Sequence, residues 1–385
     1  MKIKEVRAIR ADRYCYAKIT TDDGLTGIGE SGAFGCLDAS AAQINHFASL
    51  LEGKDPLRIE QLWQAMFRGS YFRGAATMGA ISAIDVALWD IAGKYYNAPI
   101  WQLLGGACRD KVRMYGHVFG QTDKELAENL EKRASKGFTA VGHVSPFLDE
   151  PKEKTFDQSH VQYFEAAIKR AHMVRDVIGH DIDILFECHR RCNPGEAVVL
   201  INEIADTHPL FVEDPIPPGN TDAMAYVMQH SQIPIATGER IHTIYDFEDL
   251  ITKRATNYVR VSLTTAGGIT GAKKIAAMAE PNMMQIVPHN PLSPVCTQAE
   301  IQFCICTDNI LICEYSDSDG RLMGDRSRTK QELVVGAPFP ENGYILKPEA
   351  PGLGVDLVED VEIKFPAVSL PAGSRLNADG SLRDQ

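Results

Sequence analysis

The chain has 385 residues, 44% hydrophobic and 23% charged, the balance of an ordinary globular protein, and it is too long for one compact core. Its formal charge of −12 at pH 7 argues against nucleic acid or an anionic membrane as a partner, because either would repel such a surface. Nine cysteines, an odd number without a CxxC pair, lie mostly in apolar runs and read as reduced thiols rather than a disulfide framework.

The first fourteen residues alternate like a strand and lack a signal peptide's apolar core, and no run approaches the ~20 apolar residues of a membrane span. A cytoplasmic protein is expected. Residues 1–110 read as an α+β capping domain. Strand-like Lys4–Ala11 and Tyr16–Thr21 flank a turn at Asp22, Asp23 and Gly24, and helical periodicity runs through Ala41–Leu51, Ile59–Phe67 and Thr77–Tyr96. Two loops rich in glycine and aromatics, near residues 30–38 and 68–79, have the composition of a closing lid, with Phe34 and Arg73 as substrate-facing candidates. Gly27, Gly29 and Gly32 match a dinucleotide fingerprint by letter. They follow a hairpin and lack the βαβ context, so they read as loop flexibility.

From Lys111 strands and helices alternate: VRMYGHV, TAVGHV, DILFEC, LFVED, PIATGE, YVRVSL, MQIVPH and NILICEY are eight strand-like runs, most of them separated by helical periodicity. Eight such units make a (β/α)8 TIM-type barrel, expected over residues 111–350. Residues 351–385 then return to the first domain through a strand-like Asp360–Phe365.

Glu187, Glu213 and Glu239 each end an apolar run, each 26 residues beyond the last. One strand, loop, helix and return loop take about that length, which places the three carboxylates at the C-terminal ends of successive parallel strands. That face carries a barrel's chemistry, and three hard oxygen donors there suit one divalent cation, Mg2+. His189 lies two residues past Glu187 and shares its face by strand alternation, while His289 ends the seventh strand across the barrel. Two imidazoles on opposite sides of a bound substrate suit an acid and a base at neutral pH. Glu314 ends the eighth strand as a further catalytic candidate or an ordinary capping or salt-bridged acid, and Arg260, ending the sixth, is placed to hold a substrate carboxylate or hydroxyl or to make a structural ion pair. His117 and His143 end the first two strands and are candidates for substrate contact. Cys188, His189 and Cys192 suggest zinc by letter but lack a fourth soft ligand nearby.

With these residues in view the chain resembles the enolase superfamily, in its mandelate racemase branch, over nearly its whole length. The marks are GLTGIGES, AISAIDVALWDIAGK, PIWQLLGG, FVEDP, ATGER, TAGGIT, VPHNPLSP and APGLGVD, in that order. The resemblance implies Glu187, Glu213 and Glu239 as Mg2+ ligands, and a first step that removes the proton α to a carboxylate while the metal stabilises the enediolate. FECHRRCNPGEA, the histidine of VPHNP and the ending SRLNADGSLRD look like the galactonate and mannonate types of acid-sugar dehydratase, whose product is a 2-keto-3-deoxy acid. The implied partner is a small sugar acid, and a homo-oligomer is expected. A cycloisomerase or epimerase using the same enediolate, and a catalytically silent relative, are the alternatives. Three departures stand out. Gly142 and Val144 occupy the second strand where a Lys-x-Lys pair stands in racemases, Ser262 replaces the Asp that pairs with the seventh-strand histidine, and Glu187 stands where those dehydratases carry Asp.

Overall fold

The computed structural model describes residues 1–148, 151, 153–316, 320–369 and 373–383. β1 (Ile3–Ala11) and β2 (Tyr14–Thr21) form an antiparallel hairpin that closes on an Ala11–Tyr14 pair, with Asp12 in the turn at φ 45. The turn at Asp22–Gly24 therefore follows this pair of strands instead of lying between them. It leads into a third strand, β3 (Thr26–Ser31), where the glycines suggested a flexible loop. Packing explains the glycines. A Cβ at Gly27 would stand 2.1 Å from the Ala87 carbonyl oxygen, and one at Gly29 2.1 Å from that of Ala83. Only bare backbone lets the next long helix lie so close to the strand.

The helices α1 (Leu37–Leu51), α2 (Ile59–Gly69) and α3 (Ala75–Tyr96) complete this layer. By length and composition α3 alone among the described residues is apolar enough to cross a membrane, and 78% of its apolar window is buried inside the protein. It is a core helix, gripped by the sheet on one side and by the second domain on the other. Trp89 Nε1 donates to Thr270 Oγ1 at 2.9 Å, Thr270 N to Asp85 Oδ2 at 3.0 Å, and Gly267 N to Ser82 Oγ at 2.9 Å.

After the short α4 (Ile100–Leu103) come the eight barrel strands: β4 (Lys111–His117), β5 (Ala140–Val144), β6 (Asp183–Glu187), β7 (Phe211–Glu213), β8 (Ile235–Thr237), β9 (Tyr258–Val259), β10 (Gln285–Ile286) and β11 (Cys313–Tyr315). They pair in parallel from β10 through β4 to β11, and an Ile286–Ile310 bridge closes the ring. α5 (Asp123–Ser135), α6 (His160–Ile178), α7 (Pro194–Glu203), α8 (Thr221–His230), α9 (Ile244–Thr252), α10 (Gly268–Ala279) and α11 (Pro294–Ile305) follow the first seven strands. Between β11 and the tail, where an eighth barrel helix would stand, the described residues hold a 3-10 turn, Lys330–Leu333, and short strands. Tyr115, Ala140, Leu185, Phe211, Ala236, Val287 and Ile312 cluster as a separate plug, one from nearly every strand, so the barrel is filled and its chemistry is confined to the rim.

The tail returns to the first hairpin. Asp12 N donates to Phe365 O and Val368 N to Asp12 O, each at 2.9 Å. The expected strand at Asp360–Phe365 is a four-residue helix, Val361–Lys364. A strand would put Val361, Ile363 and Phe365 on one face, yet Ile363 is 77% exposed while the other two are buried, which is the i, i+4 pattern of a helix.

Candidate active site

Glu187 and Glu213 end adjacent strands in direct register, and Glu239 follows the end of β8. Burial, then the charge of Glu213, Asp214 and Glu239, pushes Glu187 well above the ordinary carboxylate range. Burial likewise lifts Glu213 to about 8, against the pull of Arg260. Crowded carboxylates with too little positive charge are what a divalent cation relieves, and their donors are all hard oxygens, so the residues present fit Mg2+. As placed, each glutamate leans on a protein partner. Glu187 Oε1 accepts from His189 N at 2.6 Å, Glu213 Oε1 from Arg260 Nε at 2.5 Å, and Glu239 Oε2 meets His289 Nε2 at 2.9 Å. Among the described residues the trios with ligand atoms within 4.8 Å of one another are His117, His143, Glu314 and His143, Glu187, His189, and the three glutamates together are not such a set.

The two expected acid/base histidines line one cavity of about 510 Å³, together with Phe34, His143, Glu239, Arg240 and Ser262. His189 does not arrive there by strand alternation. β6 ends at Glu187, and a left-handed turn at His189 (φ 47) and Arg190 (φ 63) swings the imidazole inward. Burial, then the neighbouring His143, lowers its pKa to about 2, so the ring is neutral. His289 behaves oppositely. Burial would lower its pKa, but Glu239 outweighs burial and holds it at about 9. Ser262 Oγ pairs with Thr264 Oγ1 at 3.1 Å, and His289 Nδ1 is buried without a hydrogen-bond partner among the described residues. The carboxylate that strand six lacks is thus supplied to His289 by Glu239, through the other ring nitrogen.

Arg260 and Glu314 are both engaged in buried ion pairs. Arg260 is 1% exposed and fully engaged: Nε goes to Glu213, Nη2 to Glu314 at 2.6 Å, and Nη1 to the carbonyl oxygens of Val287 and Pro288. It holds two strand-end acids and presents no free edge to a substrate. Glu314 is equally committed, with Oε1 on His117 Nε2 at 2.5 Å and Oε2 accepting from Arg260 and from Asn290 N at 2.8 Å. Burial would raise its pKa, but Arg260 and His117 hold it well below the carboxylate range, so it is a fixed anion and not a proton donor.

His117, His143 and Phe34 reach a second cavity of about 560 Å³ that also contains Arg13, Lys132 and Arg133. Burial lowers the pKa of both His117 and His143. Arg73 is not brought to the rim. Its guanidinium lies 4.2 Å over the Phe67 ring and donates to Phe67 O, while Tyr71 beside it is 90% exposed. Asp214 was missed by sequence reasoning. It is buried, accepts from Thr237 Oγ1 at 2.5 Å, and is raised to about 7 by burial and Glu239. Its position directly after Glu213 was the available signal.

Comparison with known proteins shows the family. Residues 4–105 match the N-terminal domain model of the mandelate racemase/muconate lactonizing enzyme family, and residues 125–361 the enolase C-terminal domain-like model. The chain belongs to the enolase superfamily, and it stands among that family's hydro-lyases. It is 34% identical to a D-galactonate dehydratase of Ralstonia pickettii over 94% of each chain, and 33% identical to a D-galactonate dehydratase family member of Streptomyces bingchenggensis over 95% of this chain and 93% of that one. Among solved structures, an enolase from Pantoea ananatis with bound D-gluconate and magnesium aligns over all of both chains at 28% identity and TM-score 0.88. An enolase from Agrobacterium radiobacter with bound sodium and L-malate aligns over all of both chains at 29% identity and TM-score 0.91.

Proposed function

We propose that the protein is a Mg2+-dependent acid-sugar dehydratase, taking the proton α to a carboxylate and eliminating the β-hydroxyl to leave a 2-keto-3-deoxy acid. The observation that carries this reading is that His189, His289 and Glu239 line one cavity, with Glu187 and Glu213 at the ends of the adjacent strands β6 and β7. The three glutamates would hold the ion, which when bound supplies positive charge against the negative charge that builds on the substrate carboxylate. A five- or six-carbon sugar acid suits a cavity of about 510 Å³.

His289 takes the C2 proton as the neutral imidazole, the form that would be favoured where Glu239, whose charge outweighs burial and raises the ring to about 9, gives that charge to the ion. Glu239, 2.9 Å from its Nε2, stabilises the imidazolium that forms, as a carboxylate beside a catalytic histidine does. His189, whose pKa burial lowers to about 2, would gain a proton beside the anionic substrate and give it to the departing C3 hydroxyl. Arg260 and Glu314 keep the rim rigid and touch no reacting atom. The C2–H and C3–O bonds break, the C2 proton passes to His289, the C3 hydroxyl takes the His189 proton and leaves as water, and the resulting enol becomes the 2-keto acid.

The test is a screen of aldonic and aldaric acids with Mg2+, reading 2-keto acid by semicarbazone absorbance. Formation of 2-keto acid from at least one of them is expected. Isomerised or lactonised product without 2-keto acid would replace dehydration with epimerisation or cycloisomerisation on the same site.

A further inference from the structure

His143 reaches the rim against the alternation of its own strand. The pairing of β5 with β6 shifts between Val141 and Val144, and His143 sits at φ 53, a left-handed conformation uncommon for a residue other than glycine. Such a bulge re-aims a side chain, here bringing the His143 ring to 4.5 Å from that of His189, itself held by a left-handed backbone. Two strained residues thus converge two imidazoles beside Glu187, and one ligand atom from each of the three lies within 4.8 Å of the others. Neither imidazole has a hydrogen-bond partner among the described residues. The other compact trio, His117, His143 and Glu314, is weaker as a receptor because Glu314 already serves His117, Arg260 and Asn290 N.

We propose that His143, His189 and Glu187 form a second cation site at the rim, one that takes a nitrogen-preferring divalent ion of the zinc class with its fourth position open. Two imidazoles and a carboxylate are a Zn2+ donor set, whereas Mg2+ prefers oxygen and retained water, so the two sites differ in the ion they select. The site shares Glu187 with the carboxylate set. If the proposed function holds, its occupation also removes His189 from proton transfer, and zinc blocks turnover at saturating Mg2+.

The experiment uses the full chain in excess Mg2+, titrated with Co2+ as a visible probe and then with Zn2+ as competitor. Cobalt bands of low coordination number, displaced by zinc, are expected. His143→Ala and His189→Ala should each weaken zinc by at least ~10^2-fold, since even outer partners of a metal site are worth ~10–100-fold. Magnesium affinity, read by calorimetry, should hold in His143→Ala, and His143→Asn serves where alanine disturbs the bulge. Zinc bound as tightly by the His143 variants as by wild type would overturn the site, as would dependence on His117 in place of His189. Histidine-dependent zinc binding without inhibition would keep the site and overturn the roles given to Glu187 and His189 in turnover, which separates this inference from the proposed reaction.

Discussion

Replacing Arg260 with methionine tests whether that residue holds the site together or holds the substrate. Its guanidinium bridges Glu213 at 2.5 Å and Glu314 at 2.6 Å, and all three side chains are almost fully removed from water. Methionine fills much of the volume but leaves two buried carboxylates without their cation. Removing one partner of a buried ion pair costs about 3–5 kcal/mol, and the two abandoned acids place this variant in the upper part of that range. Against a domain stability of about 5–15 kcal/mol the loss is large. Urea unfolding at neutral pH, followed by circular dichroism, measures it directly. A double variant, Arg260→Met with Glu314→Gln, should recover part of the loss, because one stranded charge is gone, and the non-additivity of the cycle measures the coupling. Arg260→Lys should rescue poorly, since a single ammonium cannot reproduce the fork that spans both acids and two carbonyl oxygens. A loss below ~1 kcal/mol accompanied by a raised KM would refute this reasoning and return Arg260 to the substrate-holding role that its strand-end position suggests.

Three further outcomes follow from the same structure. Activity should require a divalent cation and Glu213→Gln should sharply weaken magnesium binding, so full turnover in protein stripped with EDTA would remove the carboxylates from metal binding. With a productive sugar acid, His289→Asn should abolish both dehydration and exchange of the C2 hydrogen with solvent deuterium, while His189→Asn should stop dehydration but leave exchange. Each loss should be at least ~10^2-fold, and the opposite pattern by NMR would exchange the two roles. Asp85 is buried with Oδ1 unpartnered among the described residues, and burial raises its pKa to about 7. A carboxylic acid raised above its unfolded value of ~3.9 binds its proton more tightly when folded, so its contribution is fully present below pH ~4 and is lost as pH rises through about 7. Asp85→Asn should therefore gain on wild type by up to ~4 kcal/mol at pH 8, at ~1.4 kcal/mol per pH unit, with the gain shrinking towards pH 4. A pH-independent difference in urea unfolding would show that Asp85 does not titrate in this window.

Local signals carry a good deal of this protein. The period-2 and helical runs from Lys111 onwards yield the barrel, because a strand buried in a closed sheet and a helix covering it each leave their own hydrophobic period in the chain. The 26-residue interval places Glu187, Glu213 and Glu239 on the rim, because one βα unit has a nearly constant length. What alternation cannot reveal is backbone that departs from it. His143 faces the site only through a bulge and a left-handed φ, and His189 only through a turn beyond the strand end. Gly27 and Gly29 look like loop residues until α3 is laid against them, at which point a Cβ has no room. Arg260 shows most plainly where sequence stops. Its partners lie 47 and 54 residues away, on strands brought beside it by closure of the barrel, and whether a rim cation meets a substrate or two acids is decided by that closure and not by the strand on which it stands.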